Sequence, residues 1–142
     1  MTTNENYKIL GKYIKDMSSE TPDLETFLFV RDYISKYQLD IEINSKALKN
    51  KIIEINTIFK FQDKNDSKKK AYFEIIYATI IKINDEINDK KILGKIVLSD
   101  VQNEIYPDLE KSFLNMLHNS GYPGVKLENK INFEKLYNEK FN

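Results

Sequence analysis

Residues 37–44 and 53–61 alternate between apolar and polar side chains. Tyr37, Leu39, Ile41 and Ile43 take turns with Gln38, Asp40, Glu42 and Asn44, and Ile53, Ile55, Thr57, Phe59 and Phe61 take turns with Glu54, Asn56 and Lys60. A period of two places all the apolar side chains of a strand on one face. Two such strands have to bury that face against something, so the pattern fixes a half-buried sheet. Asp63-Lys64-Asn65-Asp66-Ser67, extended by Lys68-Lys69-Lys70, is a polar turn. The β-branched and aromatic run over residues 71–83 then returns antiparallel as a hairpin. Residues 7–17 add a fourth strand. Ile9, Gly11, Tyr13, Lys15 and Met17 share one face and Leu10 and Ile14 the other, the mixed pattern of a strand contacted on both sides.

Four strands with long polar turns imply an α+β domain, a meander or Greek-key sheet with helices on one face. Residues 18–23 read as a turn around Pro22. Residues 24–34 are apolar and aromatic without a clean period, which suggests a crossover packed over a sheet edge. Helical spacing begins at Ile92, Leu93, Ile96 and Val97. Ser99 and Gln102 stand at capping-box spacing, predicting a new helical segment near Asp100. Pro107 is expected to kink it or mark a fresh start, since proline lacks the N–H and clashes with the preceding turn. Leu109, Phe113, Met116 and Leu117 then form one stripe, with Glu110, Lys111 and Asn115 outside it. Gly121 stands where a helix-ending glycine belongs, and Asn132 is placed to cap a short last helix with Phe133, Leu136 and Tyr137 inward.

The 142 residues match one ordinary domain, expected to span 1–142 with loose ends at 1–6 and 139–142. Charged residues are 31% of the chain and cancel to a formal net charge of zero, so there is no long-range field to steer nucleic acid. Arg31 is the one arginine, which argues further against base or phosphate readout. Without cysteine there is no disulfide, thiolate nucleophile or zinc-thiolate site. No cofactor, metal or nucleotide-binding loop is indicated. The N-terminus is polar and unlike a secretory signal, and no run reaches the roughly 18 apolar residues of a membrane span. These features lead to the expectation of a cytoplasmic protein with no direct membrane insertion. Any function is expected to lie in surfaces that bind other polypeptides rather than in catalysis.

Three blocks carry a family resemblance. Tyr13-Ile14-Lys15-Asp16-Met17-Ser18-Ser19-Glu20-Thr21-Pro22 resembles the pattern of the SecB family of protein-export chaperones. Phe73-Glu74 leading into Tyr77-Ala78-Thr79 is similar to that family's returning strand around a glutamate. The third block runs from Val101-Gln102-Asn103-Glu104-Ile105-Tyr106-Pro107 through Asn119-Ser120-Gly121, Tyr122-Pro123 and Val125-Lys126-Leu127 to Tyr137. The blocks stand in the family's order and spacing. Two features depart from the pattern. Ala78-Thr79 stand where family members carry small glycines, and this neutral chain, ending at Phe141-Asn142, differs from acidic members with an acidic or polar tail.

The resemblance implies a four-stranded antiparallel, Greek-key-like sheet with two helices packed on one face, assembled as a homotetramer, a dimer of dimers. It implies an ATP-independent holdase that keeps unfolded precursor proteins export-competent and passes them to SecA. Relatives of the fold serve toxin–antitoxin systems. A small enzyme with a carboxylate site and a non-catalytic adaptor or structural subunit are the other readings.

Each candidate residue also has a plain structural role. Phe27, Phe29, Tyr33 and Ile34 offer adaptable apolar area for a client groove, or simply core beneath the crossover. Asp16 and Glu20, four apart, are a solvated surface pair on their own. The resemblance makes them, with Glu74, an acidic face that docks SecA, weakly because Lys12 and Lys15 lie nearby. Leu109, Phe113, Met116 and Leu117 serve one sheet, while Tyr106 and Leu114 lie off that stripe and are free to serve a neighbouring subunit; these six are the oligomer-interface candidates. His118 at a helix end is expected to be structural, and Lys68-Lys69-Lys70 a solvated loop tip.

Overall fold

Alternation becomes a face in the computed structural model, which describes residues 6–65, 68–127 and 131–141. The strands are β1 (Tyr7–Glu20), β2 (Gln38–Ala47), β3 (Ile52–Gln62) and β4 (Tyr72–Ile83), in the order β1-β4-β3-β2 with every neighbour antiparallel. Consecutive hairpins join β2, β3 and β4, while β1 returns beside β4, a Greek-key arrangement. Ile55, Phe59, Phe73, Ile75 and Ile81 are fully buried on one face. Each such side chain stabilises the fold by roughly 1.5–3 kcal/mol relative to exposure.

Two bulges correct the expected faces of β1. The pairing slips between Ile9 and Gly11 and again between Ile14 and Asp16. Ile14 and Met17 therefore stand opposite the buried Tyr77 and Ile75, while Gly11, Tyr13 and Asp16 stand opposite Ile80, Ala78 and Ile76 on the outward face. Strict alternation assumes no extra residue, and each bulge inserts one. The strand also continues through Glu20, so the turn at Pro22 is shorter than expected.

The crossover from β1 to β2 is helical. Asp23 caps α1 (Leu24–Tyr33) by accepting the N–H of Thr26 at 2.8 Å, and a short 3-10 turn follows at Ile34–Lys36. Its period was hidden because apolar residues lie all round it. Thr26 and Val30 are buried, while Leu24 and Leu28 face solvent.

The long helix starts at Asp89, whose carboxylate accepts the N–H of Lys91, and runs as α2 (Lys90–Lys95), a π-helical turn (Ile96–Asp100) and α3 (Val101–Asn119). The expected start near Asp100 is thus corrected: Asp100 has helical backbone angles and caps nothing, and Ser99 is buried. The π turn instead keeps Ile96, Val97, Leu98 and Ser99 all buried. Gln102, fully buried beside the turn, donates to the carbonyl of Val97 at 3.1 Å and accepts from the Thr57 hydroxyl at 2.8 Å. That bond ties the turn to the sheet. Pro107 lies inside α3 and starts no new helix. Leu109, Phe113 and Leu117 fill the core, with the Phe113 ring edge-on to Phe59 and Phe61 at 5.8 and 6.5 Å.

Gly121, at φ +106, ends α3 as expected. The N–H of Tyr122 donates to Leu117 O and that of Gly121 to His118 O, a Schellman motif. Asn132 caps α4 (Phe133–Phe141) by accepting the N–H of Lys135, and the buried Phe133 packs against Tyr106. Asp66, Ser67 and residues 1–5 of the loose end expected at 1–6 lie outside the described residues, whereas 139–141 of the end expected at 139–142 belong to α4. Lys69, from the lysine run, pairs with Glu25 of α1 at 2.6 Å.

Candidate functional site

One groove of about 1170 Å³ opens at the start of β2. Leu39 and Ile41 of β2 and Phe61 of β3 make its floor. Ile34, Ser35 and Tyr37 form one wall, and the chain after α3, through Tyr122, Val125 and Leu127, forms the other. Period-two alternation aims the floor residues to one side, and the Schellman turn sends the second wall back across them.

Both walls are pinned. The Tyr37 hydroxyl accepts the N–H of Ala71 at 3.1 Å, and burial pushes its pKa up. Tyr122 is buried, edge-on to Phe73 at 5.4 Å, and its hydroxyl shares a hydrogen bond with Thr21 at 2.8 Å. Nε2 of His118 meets the carbonyl of Val125 at 2.9 Å, a structural task for that histidine. The groove is therefore preformed, with apolar side chains on its floor and a lining that mixes apolar and polar groups. Because β2 ends the sheet, its outer backbone edge pairs with no other strand among those described.

Of the four groove candidates, Ile34 lines this space. Phe27 packs beneath, its ring 5.5 Å from that of Tyr122. Phe29 stacks on Tyr33 at 4.5 Å, and Tyr33 is 43% exposed with the Lys36 ammonium 5.2 Å from its ring centre. Sequence reasoning missed Tyr37, Leu39, Ile41, Phe61 and the Val125–Leu127 wall. Their alternation was read as core, although the first residues of an edge strand lie where helical cover can run out.

The three acidic candidates share the outward face of the sheet. Asp16 stands opposite Ile76, Glu20 opposite Tyr72, and Glu74 is on the face opposite the buried Phe73. Glu74 accepts from the Tyr72 hydroxyl at 2.5 Å and lies 3.7 Å from the Lys60 ammonium. The Tyr72 hydroxyl is pushed up to about 12, chiefly by its bond to Glu74, with burial and the charges of Glu74, Glu20 and Asp16 adding to it. Lys12 and Lys15 do not offset this patch directly: Lys12 pairs with Asp108 at 2.9 Å, and Lys15 reaches Glu54 at 2.5 Å.

Among the interface candidates, Leu109, Phe113 and Leu117 are fully buried within the chain and Met116 nearly so. Tyr106 and Leu114 are half-buried, and the Tyr106 hydroxyl donates to Glu110. Exposed apolar side chains also lie on both faces of β1, at the sheet edge. Leu10, Tyr13, Ile14 and Met17 are 46, 47, 42 and 46% exposed. No helix among the described residues is long and apolar enough to cross a membrane.

Known proteins place this architecture. A family model, that of the preprotein translocase subunit SecB, matches residues 1–142. A protein of Pelagibacter ubique (strain HTCC1062), provisionally named protein-export protein SecB, is 60% identical over 97% of this chain and 99% of its own length. Protein-export protein SecB of Mesorhizobium japonicum is 20% identical over 93% of this chain and 77% of its own. In fold, the chain is similar to the SecB-like chaperone Rv1957 of Mycobacterium tuberculosis, solved with a ChAD peptide from the HigA1 antitoxin. The TM-score is 0.62 and the identity 13%, over 88% of this chain and 91% of that one. A match along the whole sequence, joined to the same sheet and helices, assigns this chain to the SecB family.

Proposed function

We propose that this SecB-family protein-export chaperone is a non-catalytic, ATP-independent holdase whose groove beside β2 takes extended apolar segments of unfolded precursors. The observation that carries this reading is a preformed groove with an apolar floor, bounded by a strand edge that pairs with no other described strand. Burial of apolar side chains yields roughly 25 cal/mol per Å² without asking for a sequence, and an exposed backbone edge can pair with any extended segment. The test is capture of an unfolded model protein without nucleotide. Binding of the unfolded form and not the folded one supports the reading; equal binding of both, or of neither, refutes it.

The same reading includes self-association. An edge strand of 14 residues bearing four exposed apolar side chains is an aggregation hazard unless a second copy covers it. A homotetramer, a dimer of dimers, fits a surface with β1 at one interface and Tyr106 and Leu114 at another. A monomer by light scattering at tens of micromolar would contradict it. The proposed setting is the cytoplasm.

Handover to SecA is proposed at Asp16, Glu20 and Glu74. Lys12 and Lys15 are engaged elsewhere, and one cation, Lys60, lies beside the three carboxylates, 3.7 Å from Glu74, so the patch stays net acidic although the chain is neutral. Contact there should be weak, fall with added salt, and vanish in the double variant Asp16→Asn, Glu20→Gln. No binding of the cognate SecA at low salt would favour a second reading, a toxin–antitoxin chaperone.

A further inference from the structure

The charged residues in the described lining of the groove share one sign. Among its described lining residues are two cations, Arg31 and Lys126, and no carboxylate. Arg31 is the single arginine of the chain. It stands in the last turn of α1 with its side chain 57% exposed, and the carboxylate of the adjacent Asp32 lies a loose 3.7 Å away. Lys126 is exposed on the opposite wall, between the groove-lining Val125 and Leu127. A third cation, Lys36, stands over the Tyr33 ring just beyond the Ile34 wall.

Of the acids nearest the lining, Asp32 meets Arg31 only at that loose distance, and Asp40 is occupied elsewhere. Asp40, which follows the floor residue Leu39, accepts from Lys64 at 2.6 Å and from Gln62 at 2.7 Å. Those bonds hold its carboxyl below the usual carboxylate range. Residues 128–130 lie outside the described ones and add one acid and one base, Glu128 and Lys130, with no formal net charge. The chain is thus neutral as a whole, yet the charged residues in the described groove lining are cations.

We infer that the groove selects extended apolar segments flanked by aspartate or glutamate over otherwise identical segments flanked by lysine. This rests on the holdase reading and names its client chemistry. Apolar floor contacts supply affinity and the two cations supply the choice, because an opposite charge at the rim is steered and held while a like charge is repelled. Arginine suits this place, since its planar fork takes a carboxylate with two parallel hydrogen bonds. Rim pairs in water are weak, so the expected preference is about five-fold at low salt, shrinking as ionic strength rises.

The test uses three labelled peptides that share one Leu/Phe pattern and differ only in flanks: serine, aspartate or lysine. Anisotropy titrations of the full chain should rank aspartate first, serine second and lysine last, with the spread closing in high salt. The variant Arg31→Glu, Lys126→Glu changes two exposed side chains and should invert the order, placing the lysine peptide ahead of the aspartate one. Equal affinities for aspartate and lysine peptides, or an order indifferent to the variant, overturn the inference while leaving the holdase reading standing. Failure of the serine peptide to bind overturns both.

Discussion

The Thr57–Gln102 hydrogen bond gives the sharpest test of how the long helix is seated. Both groups are fully buried, 2.8 Å apart, and Gln102 also holds the Val97 carbonyl of the π turn. Gln102→Leu leaves the Thr57 hydroxyl with no acceptor in a place water cannot reach. An orphaned buried polar group costs about 1–3 kcal/mol. Thr57→Val orphans the Gln102 carbonyl oxygen instead, with a similar expected cost of about 1–3 kcal/mol. The double variant replaces both partners by apolar groups and removes the mismatch. Its total cost should therefore fall below the sum of the two singles by about 1–2 kcal/mol, a coupling typical of groups in contact. Urea unfolding at one fixed protein concentration reads all four corners of the cycle; the concentration must be held because an oligomer's stability depends on it. Strict additivity, or singles that cost nothing, would show that the bond does not seat the helix.

Other perturbations follow from the same geometry. Phe113→Ala should destabilise by about 3–5 kcal/mol, since a fully buried ring wedged edge-on against Phe59 and Phe61 leaves a cavity; denaturant titration measures it. Gly121→Ala should lower stability by at least about 1 kcal/mol, because its φ is +106 and a Cβ there would lie 2.7 Å from the Phe27 ring; thermal melting should also report a looser groove wall. Phe27→Asp should lower the melting temperature sharply, whereas Tyr33→Asp, on a ring 43% exposed, should leave it nearly unchanged; equal loss in both would refute the assigned burial. Asp23, Asp40, Glu54 and Asp108 are held low, chiefly by hydrogen bonds from Thr26, Lys64, Lys15 and Lys12. A depressed folded pKa means that the unfolded chain takes the proton first, so this stabilisation is complete above about pH 4–5 and is lost as pH falls through the carboxylate range; urea midpoints across pH 3 to 7 check the sign.

Most of the sheet was legible because alternation is a strong signal wherever one face is buried. β2, β3 and β4 sit where their apolar periods place them, and Gly121 and Asn132 end and start helices as their chemistry dictates. The misses have physical causes. Two bulges in β1 flip side chains to the other face, and nothing local in the sequence marks an inserted residue. The π turn defeated the capping reading because Ser99 and Gln102 stand at box spacing yet serve the interior, where Gln102 bonds to a strand distant in sequence. α1 hid its period because Leu24 and Leu28 stay apolar on its open side, as a surface awaiting a partner would. For the groove, sequence named Phe27, Phe29, Tyr33 and Ile34, and of these Ile34 lines the space. The floor looked like ordinary core because alternation tells which face a residue takes, not whether a helix covers it.

The central claim is that unfolded polypeptide lies in the groove beside β2. A photo-crosslinking residue at Ser35, an exposed position on the groove wall, reports this without disturbing the core. Leu48, exposed at the far end of β2, is the control. The account predicts that an unfolded client crosslinks from Ser35 and not from Leu48, without nucleotide, and that the folded client crosslinks from neither. Crosslinking from Leu48 alone, or equally from folded and unfolded client, would contradict it.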